Sequence, residues 1–121
     1  MITKQKKAVP LYPCSIKIII YDDSKELKGK YSAADGTERG FFQTDEFYLD
    51  YVIGIKSSCG VIAITHECEH VKNRIFHAIG YDTQQLNDET DCYLMGWLAG
   101  AVTDVFYKHK DLIKKNNKLK K

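Results

Sequence analysis

The sequence predicts an α+β fold in which a small antiparallel or mixed sheet packs on two core helices. Two segments have the composition of strands, at residues 15–21 and 47–55, and two longer segments after them carry apolar residues at helical spacing. The chain has 121 residues, of which 44% are hydrophobic. This length and composition suit a single domain built around one core.

The strands are expected in the first half of the chain. Residues 1–14 form a short lead that contains two prolines. Residues 15–21 are rich in isoleucine, which predicts a buried strand. Residues 24–30 favour a helical turn and residues 31–39 a loop. Residues 47–55 place an apolar side chain at every second position, which predicts a second strand that can also bind an extended peptide along its edge.

A long helix is predicted from about Gly60 to Ile79. Gly80 follows it as a natural C′ residue, because glycine readily adopts the left-handed conformation that ends many helices. Apolar residues recur at helical spacing within this segment and predict the face that packs on the core, namely Ile64, Cys68, Val71, Ile75 and Ala78.

This helix carries the motif His66-Glu67-Cys68-Glu69-His70, which matches the H-E-x-x-H pattern of zinc enzymes. At about 100° per residue, His70 lies roughly 40° around the helix axis from His66 and one turn further along. Both imidazoles can therefore bind one zinc ion. Glu67, about 100° from His66, can accept a proton from a water bound to the metal, and Cys68 points away.

A second helix is predicted to start near Asn87 or Asp88, either of which can cap it, and to end near Lys108. One apolar stripe along it is expected to pack on the core, formed by Cys92, Met95, Ala99, Val102 and Phe106.

A second stripe of this helix contains Glu89, Tyr93, Gly96 and Gly100. Glycine costs roughly 1 kcal/mol in a helix interior, so two glycines on one stripe predict that another backbone passes close to it. If that backbone belongs to the motif helix, the stripe brings Glu89 toward the two histidines.

A catalytic zinc site needs three protein ligands and one open position. His66 and His70 supply two ligands, and Glu89 is the predicted third. Asp88 and Asp91 compete with Glu89 for that position. The expected cofactor is therefore Zn²⁺ in a His₂Glu site.

His77 is a poor candidate for the third ligand. The pattern H-E-x-x-H-x-x-G-x-x-H places a glycine and a third histidine where this chain has Asn73 and Phe76. His77 stands one residue too late, and it lies about 10 Å along the helix axis from His70. That distance is too long for both side chains to bind the same ion.

The charges are unevenly distributed. The net charge is +2, yet residues 108–121 hold seven lysines and one aspartate. We expect residues 1–107 to form the domain and residues 108–121 to be a disordered, solubilising tail. The tail is the only feature that suggests a nucleic-acid partner, and we do not expect such a partner.

Other function classes are disfavoured. The longest apolar run, residues 93–102, is about half of what a bilayer span needs. No hydrophobic export signal follows Met1, so a cytoplasmic location is expected. The four cysteines have no short paired spacing, which favours reduced core residues over a disulfide framework.

Residues 65–70, the pair Ile79-Gly80 and residues 88–98 together resemble small zincin-like proteins of bacteriophages and mobile elements. Those proteins follow an H-E-x-x-H helix with a helix of the pattern D/E-E-x-x-A-Y-x-x-G-x-L. The start of that second helix also looks like the zinc-ligand glutamate segment of ImmA/IrrE-type metallopeptidases. The resemblance covers about residues 47–106, and Cys92 stands where alanine is usual.

The resemblance implies a zincin-like domain in which His66, His70 and Glu89 bind zinc and Glu67 is the general base. The expected function is that of a zinc-dependent hydrolase, specifically a small gluzincin-like metallopeptidase acting on a peptide or protein, in the host cytoplasm if the protein is phage-encoded. The alternative is a zinc-binding protein that sequesters a host factor without cleaving it. The residues carry no prediction of substrate sequence or oligomeric state.

Overall fold

The computed structural model describes residues 1–27, 30–31, 39–45, 49–81 and 89–119. Within them it has strands β1 (Ile2–Ala8), β2 (Ser15–Tyr21), β3 (Gly40–Thr44) and β4 (Asp50–Lys56), and a short 3₁₀ turn (Ser24–Leu27). Two helices follow, α1 (Gly60–Ile79) and α2 (Glu89–Leu119). The strand order is β1-β2-β4-β3. The predicted α+β class, with a small mixed sheet and two helices, is confirmed.

The central strands of the sheet are the two that the sequence predicts. β2 covers residues 15–21 as predicted, and β4 covers the later part of the predicted 47–55 segment, of which residues 47–48 lie outside the described part of the chain. β2 and β4 pair in parallel, and each pairs antiparallel with an outer strand. The predicted edge role of residues 47–55 is therefore wrong, because β4 has a strand on both sides.

The outer strands, β1 and β3, are not predicted from the sequence. β1 has the sequence ITKQKKA, whose lysines hide the usual apolar alternation of a strand. Lysines are common on edge strands, where they discourage pairing with other chains. β3 covers residues 40–44 and, within the described residues, pairs with β4 alone.

The core lies between one face of the sheet and the two helices. Alternate residues of the central strands point to this face because side chains alternate along a strand. The six strand residues that form it are fully or almost fully buried, namely Ile16, Ile18 and Ile20 of β2 and Tyr51, Ile53 and Ile55 of β4.

Helix α1 has the bounds that the sequence predicts. Gly80 adopts the left-handed conformation, with φ of 73°, and its N–H donates to carbonyl oxygens of the last turn. The predicted packing face is confirmed except at its end, where Ala78 is exposed. The four buried members of that face are Ile64, Cys68, Val71 and Ile75.

Helix α2 is rotated relative to the prediction. Gly96 and Gly100 are exposed, and a Cβ atom at either position would meet nothing within 4 Å. The glycine stripe therefore faces away from α1, and Tyr93 on the same stripe is 64% exposed. The large aliphatic side chains determine the rotation, since the buried residues of α2 are Leu94, Leu98, Ala101, Val102, Val105, Phe106 and His109.

The end of α2 also differs from the prediction. The helix continues to Leu119, about three turns past the expected end near Lys108, so residues 108–119 are not a disordered tail. This segment contains no glycine or proline and is rich in lysine and leucine, which are good helix formers. Residues 120–121 lie outside the described residues. No helix of the described chain is long and apolar enough to cross a membrane.

A buried histidine connects α2 to the end of the sheet. His109 has no solvent exposure, and its Nε2 donates to the Asp22 carboxylate over 2.8 Å. Its Nδ1 lies 2.7 Å from the hydroxyl oxygen of Thr3 on β1. Asp22 also accepts a 2.6 Å hydrogen bond from Ser57, which follows β4. One polar cluster thus joins β1, the end of β2, the end of β4 and α2.

Asp22 should make this cluster sensitive to acid. Partial burial disfavours its charged form, but hydrogen bonds from Ser57 and His109 outweigh that effect and lower the pKa of the carboxyl to about 2. A carboxyl whose pKa is depressed in the folded state stabilises the protein above its unfolded-state pKa of roughly 3.9. That stabilisation is lost as the pH falls toward 2.

We therefore expect Asp22→Asn to be less stable than the wild type at pH 7, with a difference that shrinks between about pH 4 and pH 2. Urea denaturation of both proteins at several pH values measures the difference. A gap that stays constant down to pH 2 would show that the Asp22 charge does not stabilise the fold.

A second buried contact anchors β3 to the sheet. Phe41 of β3 lies opposite Gly54 of β4, and its ring fills the space that a side chain at position 54 would need. Phe41 belongs to a small core on the outer face of the sheet, with Ile19, Tyr21 and Leu27.

Gly54→Ala should therefore destabilise the protein by about 1–3 kcal/mol, the usual cost of overpacking. Gly96→Ala is the matched control, because its methyl group meets open space in a helix interior. We expect the control to stabilise the protein by about 0.5–1 kcal/mol. Urea unfolding curves measure both, and equal effects of the two substitutions would contradict the packing argument.

Candidate metal centre

The two motif histidines converge on the exposed side of α1. Their Nε2 atoms lie 3.2 Å apart, and the ring planes meet at 78°. The His66 side chain is 66% exposed, so the pair faces solvent. The predicted geometry of two imidazoles on one helix face is what the structure shows.

This separation fits a tetrahedral metal. Two nitrogens at about 2.0–2.1 Å from a zinc ion, with a tetrahedral angle between them, lie about 3.3 Å apart. The observed distance of 3.2 Å between the Nε2 atoms is close to that value, and it also fits a hydrogen bond from one imidazole to the other. His66 and His70 thus have the donor atoms and the spacing for two ligands of one ion.

Phe42 of β3 positions one of these rings, and sequence reasoning missed it. Its ring stacks on His70 with centroids 4.8 Å apart and an interplanar angle of 15°. This contact restricts the rotation of the imidazole. The only sequence signal is that Phe41 and Phe42 are adjacent, which on a strand sends one ring to each face of the sheet.

Glu67 lies between α1 and the edge of the sheet. Its side chain is only 8% exposed, and the carboxylate oxygen Oε1 is 3.9 Å from the His66 Nε2 atom. Burial raises the pKa of the Glu67 carboxyl, and the neighbouring His66 partly opposes this rise. The carboxyl group is therefore beside the histidine pair in an environment that favours proton uptake.

Gly40 of β3 makes room for Glu67. A Cβ atom at Gly40 would lie 3.2 Å from the Cγ of Glu67 and 2.7 Å from the carbonyl oxygen of Gly54. A side chain at position 40 would thus clash with the backbone of β4. The close approach of β3 to α1 requires glycine at this position.

A cavity opens beside Glu67 and His66. Its volume is about 300 Å³. Arg39, Gly40, Ile62 and Ala63 complete its lining. A group bound there would touch both the His66 side chain and the buried Glu67 side chain.

The structure does not bring Glu89 to the two motif histidines. Within the described residues, no group of three or more histidine, cysteine, aspartate or glutamate side chains is placed to hold a metal ion. Glu89 is exposed at the first residue of α2 and lines another cavity, with Leu11, Tyr12, Thr90 and Tyr93. Because the glycine stripe points outward, it does not deliver Glu89 as predicted.

Asp91, a competing candidate for the third ligand, already has another partner. Asp91 accepts hydrogen bonds of 2.9 and 3.0 Å from the Lys72 ammonium, which also donates to Glu69 over 2.7 Å. Lys72 is buried, and this pairing ties α1 to α2. Asp88 lies among residues 82–88, outside the described part of the chain. His77 is exposed on α1, past the motif.

Comparison with known proteins adds no assignment. No family model, no curated protein and no solved structure matches the chain.

Proposed function

We propose that the protein is a zinc-dependent hydrolase of the metallopeptidase type, with His66 and His70 as metal ligands and Glu67 as general base. The observation that carries this proposal is the 3.2 Å spacing of the two Nε2 atoms beside a buried carboxyl. A pair of histidines that only lined a polar groove would not need a buried glutamate at their side.

The roles follow from the positions of the side chains. Bound zinc lowers the pKa of a coordinated water and polarises a carbonyl group. Glu67 accepts the proton of the attacking water and returns it to the leaving amine. Its raised pKa suits both steps, because a general base works best when its pKa is close to the working pH. Phe42 holds the His70 ring in place.

Glu89 is the proposed third ligand. Since it lines a separate cavity, its participation would require the start of α2 to approach the motif histidines of α1. Metal binding is often coupled to such ordering, because the binding energy compensates for the rearrangement.

The position of β3 supports a peptide substrate. β3 is the last strand in the sheet order, and its Gly40 lines the cavity next to Glu67. An extended peptide that pairs with the outer edge of β3 would pass in front of the histidine pair. The site thus combines a strand edge for the substrate backbone with a cavity for one side chain.

Zinc binding tests the ligand assignment. We expect the wild type to bind one zinc ion, and His66→Ala or His70→Ala to lose more than about 100-fold in affinity, since even supporting groups around a metal contribute 10–100-fold. His77→Ala is the matched control on the same helix and should bind normally. Competition with a chromogenic chelator measures all four proteins.

Glu89→Gln belongs in the same series. A loss of affinity supports the predicted third ligand, whereas unchanged affinity would remove Glu89 from the site. Full zinc occupancy in His66→Ala would contradict the metal centre altogether.

Hydrolysis tests the catalytic role. We expect zinc-loaded wild type to cleave members of a mixed peptide library, and Glu67→Gln to retain zinc but lose about 10²–10⁴-fold in rate, the usual contribution of a general base. Glu69→Gln is the control within the same motif, because Glu69 pairs with Lys72 on another side of the helix. Mass spectrometry of the products measures cleavage.

Equal rates in Glu67→Gln and the wild type would contradict the role of Glu67. Zinc binding with no cleavage of any peptide would favour the alternative of a non-catalytic zinc protein that sequesters a host factor.

A further inference from the structure

The C-terminal part of α2 extends beyond the domain. His109 is the last buried residue of the helix, and none of residues 110–119 is buried. These residues form about 15 Å of helix that continues past the end of β1, at the 1.5 Å rise per residue of an α-helix. Such an extension adds little to the core, so its composition is informative about its environment.

The lysines of this extension share one side of the helix. Measured around the axis from His109, they fall between about 100° and 260°, opposite the face that packs on the sheet. Asp111 is the only acidic residue among them, at about 200°. The lysines on this arc are Lys108, Lys110, Lys114, Lys115 and Lys118.

Strand β1 carries further lysines, on a different surface. Lys4 and Lys6 are exposed on the outer face of the sheet and, with Lys17 of β2, line a shallow groove of about 320 Å³. Gln5 lies between them on the opposite face and accepts a 3.3 Å hydrogen bond from Lys108. The lysine arc of α2 therefore lies on the helix side of the sheet, separate from the groove.

Among the described residues, few acidic groups neutralise these lysines. Asp104 pairs with Lys7 and Lys108, both over 3.3 Å, and Asp50 is 3.9 Å from Lys6. Lys110 lies over the Phe106 ring, 5.1 Å from its centroid, a contact that leaves its charge in place. The surface therefore keeps a concentrated positive charge on a chain whose net charge is only +2.

We propose that the lysine arc of α2 binds the phosphate backbone of duplex DNA. A helix about 10–12 Å across fits the major groove, which is about 12 Å wide. Lysines along a helix then contact phosphates without reading the sequence. This partner differs from the sequence-based expectation because the basic segment is an ordered helix whose lysines share one side.

Two other anionic partners fit less well. A membrane surface calls for a broad apolar helix face, and the extension offers only Leu112, Ile113 and Leu119 opposite its lysines. A single strand is usually held by stacking of successive bases on several aromatic side chains, and Tyr107 is the one exposed aromatic side chain on this arc among the described residues.

Salt dependence of DNA binding tests the proposal. Each phosphate contact contributes about 0.9 to the slope of log affinity against log salt. A variant with Lys110→Gln, Lys114→Gln and Lys118→Gln should therefore bind a 25-base-pair duplex of arbitrary sequence with a slope reduced by about 2–3. Fluorescence anisotropy between roughly 50 and 200 mM NaCl measures the slope, and glutamine preserves helix propensity.

The control variant removes equal charge elsewhere, through Lys25→Gln, Lys56→Gln and Arg74→Gln, and should keep the wild-type slope. Asp111→Asn removes the acidic residue within the arc and should bind more tightly. His66→Ala should bind DNA like the wild type, because the metal centre takes no part.

Three results would overturn the proposal. The first is that the wild type does not bind the duplex at about 50 mM NaCl. The second is that the two triple variants lose DNA affinity equally. The third is that the protein binds phosphatidylserine vesicles but not DNA. The last result would identify a membrane surface as the partner.

Discussion

The rotation of α1 about its own axis determines what the motif can do. Burial of Ile64, Cys68, Val71 and Ile75 against the sheet and α2 leaves one orientation for the helix. In that orientation His66 and His70 face solvent. Glu67 falls at the boundary, where β3 covers it. The apolar residues of α1 therefore leave the two histidines exposed and bury the Glu67 side chain at the edge of the sheet.

The parts of the fold that were predicted are those with a strong local pattern. The isoleucine run of β2 and the stripe of α1 each bury one consistent face, so periodicity alone identifies them. β1 gives no such signal, because Lys4 and Lys6 occupy the outer face of an edge strand and Lys7, on the inner face, pairs with Asp104 of α2. The predicted rotation of α2 was wrong for a related reason. Glycine is compatible with close packing, but Leu94 and Leu98 gain more from burial than Gly96 and Gly100 gain from contact.

The candidate site also has some features that the sequence predicts and others that it does not. The positions of His66, Glu67 and His70 relative to one another follow from helix geometry, so the sequence predicts them. The surroundings depend on contacts between distant segments, such as Phe42 on His70 and Gly40 beside Glu67. A third ligand from α2 depends on how two helices pack, and Asp91 is already paired with Lys72 there. Tertiary packing, which spacing does not reveal, decides these features.

The edge position of β3 has a consequence for motion. Hydrogen bonds to β4 connect β3 to the sheet on one side, and the ring of Phe41 anchors it. An edge strand held this way can separate from a sheet at a lower free energy than the central strands, as native-state hydrogen exchange shows for such elements in general. Because Gly40 lines the cavity beside Glu67, each opening of β3 would widen that cavity. The lifetime of one short strand would thus govern how large a group can reach the buried acid.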